Sequence, residues 1–325
     1  MKFGVIGGGA WGTALAQMLA SQGAAVTLWA READVVAGIN RDHENSLFLK
    51  GYRLAPSLAA TGDLAALADR DALLIVTPAQ HMRRVLVDLD AAGRPLILCC
   101  KGMEADTRLL MSDVAAEVHP DSPIAVLSGP TFAHEVAAGL PAAVTLAAAD
   151  QTLGRRLAEA IARPAFRPYL SNDVVGAEIG GAVKNVLAIA CGVVDGAGLG
   201  QNARAALISR GFAEMTRFGL ALGAQAETLA GLAGLGDLVL TCSSSASRNF
   251  SLGKGLGEGR AARELLADRT TVAEGAHSAP VVQAAARERG VDMPIVDAVC
   301  ELLAGERAVA DVVADLLARP LRVEG

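Results

Sequence analysis

The sequence predicts an α/β fold, a doubly wound parallel sheet followed by an all-α C-terminal domain. Three observations carry the prediction. Short apolar strands alternate with helical segments through the first half of the chain, as expected of strands buried on both faces beneath crossover helices. The first strand opens directly into a glycine-rich turn. From about Leu170 onward the periodicity is helical, with no convincing strand.

The elements follow in order. Phe3 to Ile6 is a short apolar strand, Ala14 to Ala20 is helical, and Val26 to Trp29 is a second strand. Asp71 to Val76 reads as a buried strand ending at Thr77-Pro78. Leu96 to Cys100 is another, ending at Lys101-Gly102, and Ile124 to Leu127 a third, ending at Ser128-Gly129-Pro130. Ala143 to Leu146 is one more. Helices at Met82 to Leu89, Arg108 to Val118 and Gly154 to Ile161 lie between them. Ser171-Asn172-Asp173 reads as the N-cap region of a long helix reaching about Val193. Further helices are expected at Ala205 to Leu222, Arg260 to Leu266, Ala279 to Arg289 and Ile295 to Leu303, and Gly253 to Gly259 reads as a mobile loop. The boundary falls near residues 165 to 173, giving two domains, 1–170 and 171–325. A chain of 325 residues is too long for one ordinary core, which also favours two.

Composition narrows the class. With 52% apolar and 20% charged residues, the chain is globular. The longest apolar stretch, Val186 to Val194, lies between Lys184 and Asp195. It is well short of the roughly 18 residues that span a bilayer, so no membrane insertion is expected. Lys2 and the apolar, alanine-rich start mimic a signal peptide, but Gly7, Gly8, Gly9 and Gly12 interrupt it. A strand–turn–helix explains those residues better. Five scattered cysteines without CxxC spacing (Cys99, Cys100, Cys191, Cys242, Cys300) suit a reducing cytoplasm, and no metal site is expected. A net charge of -6 argues against a nucleic-acid partner but leaves small anionic ligands open.

The glycine turn carries the first specific chemistry. Gly7-Gly8-Gly9-Ala10-Trp11-Gly12 is G-x-G-x-x-G, set between a strand and a helix. That is the context in which it marks a Rossmann dinucleotide site. Gly7 permits the tight turn, Gly9 lets the backbone approach a pyrophosphate, and Gly12 lets the helix lie close to the strand. Free N–H groups at the helix start then face the phosphates. Beyond the second strand stands Arg31-Glu32. Arg31 can reach a ribose 2′-phosphate, which leans the choice toward NADPH, while Glu32 can meet a ribose hydroxyl. A solvated Arg31 is the alternative.

Ketone reduction needs a proton donor beside the hydride donor. Two tyrosines form no Tyr-x-x-x-Lys pair, and none of the five histidines adjoins an orienting carboxylate at a strand end. Lysine is rare here, and Lys184 lies inside an apolar helix with Gly176 and Gly180 at four-residue steps before it. The bare face suggests room for a flat ring or small substrate. Close helix packing with Lys184 reaching outward is the alternative. Lys101, at a strand end, would lower the Lys184 pKa by like-charge repulsion, and desolvation would add to this. Asp237, in Gly231 to Leu238, either caps the next helix or orients Lys184, with Thr241 one turn on. Ser247-Arg248-Asn249 is either a phosphate clamp or a solvated loop.

Taken together these segments resemble the bacterial NAD(P)-dependent glycerol-3-phosphate dehydrogenases over nearly the whole chain. The resemblance rests on Gly7 to Gly12, Cys100-Lys101-Gly102, Ser128 to Ala133, Gly180 to Asn185, Asn202-Ala203-Arg204, Gly231 to Asp237 and Ser247-Arg248-Asn249, in that order and spacing. It implies that Lys184 donates and accepts the proton, that Lys101 lies between cofactor and substrate, and that Asp237 with Thr241 supports Lys184. Gly129, Thr131 and Asn185 would contact substrate. Ser247, Arg248 and Asn249 would hold its phosphate. Ala10, Trp11, Arg31, Ala133, Arg248, Val272 and Glu274 would line the site for NADP or NAD. A homodimer in the cytoplasm, supplying glycerol phosphate for phospholipids, is implied too. Lys50 in Leu49-Lys50-Gly51 and Ala273 after Val272 depart from the family pattern. A related reductase of 2-hydroxyacid or ketopantoate type is the competing expectation. A non-catalytic dinucleotide sensor is a third, which two site lysines oppose.

Overall fold

The computed structural model describes residues 1–267 and 273–318. Eight strands form one sheet: β1 (Phe3–Ile6), β2 (Val26–Trp29), β3 (Ala59–Thr61), β4 (Ala72–Ile75), β5 (Leu96–Leu98), β6 (Ile124–Ser128), β7 (Ala142–Ala148) and β8 (Phe166–Ser171). Their order is β3-β2-β1-β4-β5-β6-β7-β8. The chain leaves β1 in one direction and returns to its other side at β4, so the switch point lies between those two strands. In open sheets of this kind ligands bind beyond the carboxyl ends of the strands at that point.

Helices cover both faces in the first half: α1 (Ala10–Ala20), α2 (Ala33–Asp42), α3 (Ala79–Val87), α4 (Met111–Val118), α5 (Ala133–Ala137) and α6 (Gln151–Ile161). The second half is helical: α7 (Val174–Gly196), α8 (Gly200–Ala221), α9 (Ala226–Ala230), α10 (Asp237–Cys242), α11 (Arg248–Gly257), α12 (Ala262–Leu265), α13 (Glu274–Glu288), α14 (Pro294–Ala304) and α15 (Val309–Leu317). One apolar cluster lies on each face of the sheet, and a third surrounds α7 in the helical half.

The sheet is not wholly parallel. β7 runs antiparallel to β6, with Val126 opposite Ala147, and the remaining pairings are parallel. The five-residue α5 advances only about 8 Å, too little to carry the chain back to the far end of the sheet. Two strands escaped the sequence reading, β3 and β8. Both are edge strands. β3 has three residues, and β8 carries Pro168 with exposed Arg167 and Tyr169, a composition that only an edge tolerates. α8 begins at Gly200, before the expected Ala205, and α13 at Glu274, before Ala279.

The helix α7 organises the second half. Asp173 caps it, accepting from Gly176 N at 2.8 Å, and its other oxygen accepts from Gln225 N at 2.8 Å. It is the one helix among the described residues long and apolar enough to cross a membrane, but most of its length is buried inside the protein. The stretch Gly253 to Gly259 is not a loop as far as Gly257. It is the C-terminal part of α11, lying directly on α7. A Cβ on Gly192 would collide with the Phe250 carbonyl, and one on Gly253 with that of Ile189. Gly196 against Lys254 and Gly257 against Val193 repeat the pattern one turn on. Reciprocal glycines let the two backbones touch, which outweighs the roughly 1 kcal/mol each glycine costs a helix.

Candidate active site

The site is assembled where the strand ends meet α7. Along α7, Gly176, Gly180 and Lys184 share a face, one turn apart. That face was expected to admit a ring or substrate. Instead it is covered by protein. A Cβ on Gly176 would meet Asp173 and Thr228, and one on Gly180 would collide with the Ala233 carbonyl. A π turn at Leu232–Gly236 packs its backbone into this groove. It delivers Asp237 opposite Lys184, one turn along.

Asp237 does not cap α10, as one sequence reading had it. Gly236 holds the cap position, and the carboxylate points at the lysines. It is wholly buried. Its Oδ1 accepts from Lys184 Nζ at 2.5 Å and its Oδ2 from Lys101 Nζ at 2.6 Å. Thr241 donates its hydroxyl to the Asp237 carbonyl at 2.7 Å and accepts from Lys184 Nζ at 2.9 Å. Lys101 arrives from the end of β5. Its stem lies against Gly181, where a Cβ would stand 3.3 Å from Lys101 Cγ. Lys184, Lys101, Asp237 and Thr241 thus form one cluster.

Burial gives the two ammonium groups different proton affinities. Desolvation pushes Lys184 down to about 7; Asp237 opposes this and the Lys101 charge reinforces it. Burial also pulls Lys101 down, but the charge and hydrogen bond of Asp237 outweigh it, and its pKa is raised. The cluster therefore releases its first proton from Lys184, the group placed to exchange one near neutrality.

The glycine turn has the shape its sequence implies. Gly7 has φ +128, and a Cβ there would stand 2.7 Å from the Val76 carbonyl oxygen. A Cβ on Gly12 would collide with the Gly7 carbonyl, so α1 lies hard against β1. Nothing stands within 4 Å of a Cβ built on Gly9. Gly9 is also the N-cap of α1, with no side-chain cap and no acid in the first turn. Open space before uncapped N–H groups fits a dinucleotide pyrophosphate. Trp11 Nε1, Thr77 Oγ1 and Ser128 Oγ are buried near these strand ends without a protein partner. Ala10, Trp11 and Ala133, at the starts of α1 and α5, each pack against the apolar cluster on this face of the sheet. Arg31 stands off this group at the end of β2, its side chain 79% exposed and paired with Glu32 at 3.0 Å.

The remaining expected residues lie after β6, on α7 beside Lys184, and at the starts of α11 and α13. A Cβ on Gly129 would stand 2.9 Å from Val144 Cα, so only glycine lets β6 turn beside β7. Thr131 donates to the Gly129 carbonyl at 3.2 Å. Ser247 caps α11, accepting from Phe250 N at 3.2 Å. Asn249 accepts from Gly275 N at 2.9 Å, holding the start of α13. A Cβ on Gly275 would lie 2.5 Å from the Asn185 carbonyl oxygen. Ser247 and Asn249 thus have structural duties, while Arg248 is exposed at the helix start. Glu274, the first residue of α13, has a pKa raised by burial, with Arg248 and both lysines pulling it back. Val272 lies outside the described residues.

One relevant residue went unnoticed in the sequence. Glu178, six residues before Lys184, is 6% exposed. It accepts from Ser112 N at 2.8 Å and from Ser112 Oγ at 2.5 Å. Burial pushes its carboxyl up to about 7 against those bonds. An acid set within the apolar first half of α7 was the available signal.

Comparison with known proteins agrees along the whole chain. A family profile described as NAD-dependent glycerol-3-phosphate dehydrogenase N-terminus matches residues 2–154, and the corresponding C-terminus profile matches residues 173–314. Glycerol-3-phosphate dehydrogenase (NAD(P)+) 1 of Sphingopyxis alaskensis is 68% identical, covering 100% of this chain and 98% of its own. A relative of the same description from Erythrobacter litoralis is 69% identical over 99% of this chain and 98% of its own. The crystal structure of glycerol-3-phosphate dehydrogenase from Coxiella burnetii superposes with a TM-score of 0.93 at 39% identity, covering 98% of this chain and 99% of that one.

Proposed function

The chain belongs to the NAD-dependent glycerol-3-phosphate dehydrogenase family, and from that premise we propose that its cleft interconverts dihydroxyacetone phosphate and sn-glycerol 3-phosphate. The observation that carries the reading is the buried Asp237 bridging two lysines at 2.5 and 2.6 Å where the strand ends open. It supports this reading over a 2-hydroxyacid or ketopantoate reductase, as do family matches spanning both halves of the chain.

NADH or NADPH, when bound along Gly7, Gly9, Ala10, Trp11 and Gly12, supplies the hydride. The protein's own groups do the rest. Lys184 gives its proton to the oxygen at C2 as the ketone becomes an alcohol. Lys101 holds a second positive charge beside that oxygen as negative charge develops there. Asp237 keeps both ammonium groups aimed, and Thr241 fixes the Lys184 nitrogen from the other side. Gly129, Thr131 and Asn185 line the substrate's approach. Arg248, at the start of α11, binds the substrate phosphate with Ser247 and Asn249, so remote binding orients the reacting carbonyl. Glu274, Ala133 and Arg248 border the cofactor. In the reverse direction neutral Lys184 takes the proton back.

The same reading includes a preference for NADPH, supported by the exposed Arg31 beyond β2. It divides the chain near residue 170, supported by family matches that end at 154 and resume at 173. Five free cysteines suit a cytoplasmic address. Pairing of two copies, and supply of glycerol phosphate to phospholipid synthesis, belong to it as well. The test is spectrophotometric: dihydroxyacetone phosphate is offered with NADPH, then NADH, and loss of nicotinamide absorbance is followed. Turnover with the phosphorylated ketone and none with ketopantoate is expected. In Lys184→Ala turnover should fall by at least about a hundredfold while cofactor binding survives. Near-normal turnover in that variant would overturn the assignment.

A further inference from the structure

Lys101 and Lys184 come from opposite halves of the chain, and something must fix one against the other. Lys184 stands on a rigid helix. Lys101 stands on the segment between β5 and α4, whose ends are drawn together by an antiparallel bridge between Met103 and Leu110. Both of those side chains are buried, and both belong to the apolar cluster around α7. Two residues beyond the bridge is Ser112, whose N–H and hydroxyl are both held by Glu178 of α7. Glu178 and Gly181 lie three residues apart on one face of α7, and Gly181 is where the Lys101 stem rests. One face of α7 therefore receives the Lys101 segment, while the adjoining face, at Gly180 and Lys184, receives the turn that brings Asp237.

We propose that Glu178 is a positioning residue for the reaction: by gripping the start of α4 it holds the Lys101 segment on α7 and so sets Lys101 against Lys184 and Asp237. Gly181 completes the seat by leaving room for the Lys101 stem. Glu178 touches neither lysine. It acts through Ser112, the Met103–Leu110 bridge and the two residues between Met103 and Lys101. Removal of its carboxylate leaves the α4 N-terminus without its acceptor. The segment then relaxes from α7, and Lys101 loses its place more than Lys184 does. The inference rests on the dehydrogenase reading above.

A double-mutant cycle tests it. In otherwise native enzyme, Glu178→Ala is expected to lower kcat about tenfold or more, since a displacement near 1 Å can cost about a hundredfold. The Kd for NADH, followed by nicotinamide fluorescence, should stay within about twofold. Glu178→Gln keeps an acceptor for Ser112 and should recover most of the rate. In a Lys101→Ala background the same Glu178→Ala change should add less than about twofold, because the group it positions is gone. Full multiplication of the two losses would overturn the proposal, since Glu178 would then act independently of Lys101. An unchanged rate in Glu178→Ala would do the same. Wild-type enzyme inert toward dihydroxyacetone phosphate would instead remove the reading on which the proposal stands.

Discussion

At the scale of single residues, chemistry is decided by how unequally Asp237 serves its two partners. Lys184, the more deeply buried of the two, is pushed down to about 7, desolvation being the larger cause. Lys101 stays charged. The consequence has a sign. In the proposed mechanism reduction uses protonated Lys184, so its kcat should be high below about pH 7 and fall as pH rises through that value. Oxidation needs the neutral amine and should rise through the same range. Steady-state pH profiles in both directions check this, and coincident profiles would contradict it. The residues of this cluster were legible in the sequence, because a rare lysine and a lone aspartate were each framed by glycines. The spacing alone left the role of Asp237 open between a helix cap and a partner for Lys184, and the family resemblance pointed to the partner. Whether such a carboxylate caps a helix or faces a partner depends on the π turn at Leu232–Gly236, which no local pattern announces. Glu178 was passed over for a similar reason: its partner Ser112 is 66 residues away.

At the scale of elements, the fold was readable where a central strand had a buried face of its own, but not at α2, although that helix buries Val35 and Ile39. β1, β4 and β5 are continuous apolar runs, β2 and β6 each carry one hydroxyl residue, and all five were found. The edge strands β3 and β8 lack such a face. The helix α11 failed to register because its glycines carry low helix propensity, and only the contact with α7 explains them. That contact makes a prediction. Gly253→Ala would force its Cβ into the Ile189 carbonyl, so α11 must move away from α7. Urea denaturation should show a loss of about 1–3 kcal/mol or more. Ala gains over Gly in an exposed helix, so an unchanged or raised stability would mean that the two backbones do not touch. Asn185 and the start of α13 lie nearby, so activity should fall as well.

At the scale of the whole molecule, two buried carboxylates link distant elements and share an electrostatic character. Glu178 on α7 grips the start of α4. Glu214 on α8 accepts from Ile295 N at 2.9 Å and from Val296 N at 3.4 Å, gripping the start of α14. Burial pushes each carboxyl up to about 7, against the lowering effect of those bonds. A folded pKa raised above the unfolded value means the folded protein binds the proton more tightly. The stability this contributes is full below about pH 4.5 and is lost as pH rises through about 7. For Glu214 alone the loss is on the order of 3 kcal/mol. The thermal stability of the wild type should therefore fall between about pH 5 and about pH 8, and Glu214→Gln should flatten part of that decline. An identical pH dependence in the variant would show that Glu214 does not titrate in this range.

The bridge at Asp237 also has a meaning for what can enter. One carboxylate stands between two ammonium groups, so with both protonated these three groups together carry a surplus of one positive charge. The chain as a whole carries -6. A doubly anionic metabolite is thus turned away by the general surface and welcomed only inside, over distances shorter than the roughly 8 Å beyond which cellular salt mutes exposed charges. Uncharged carbonyl compounds forgo that local welcome. Discrimination against them begins with electrostatics, before the shape of the pocket is tried.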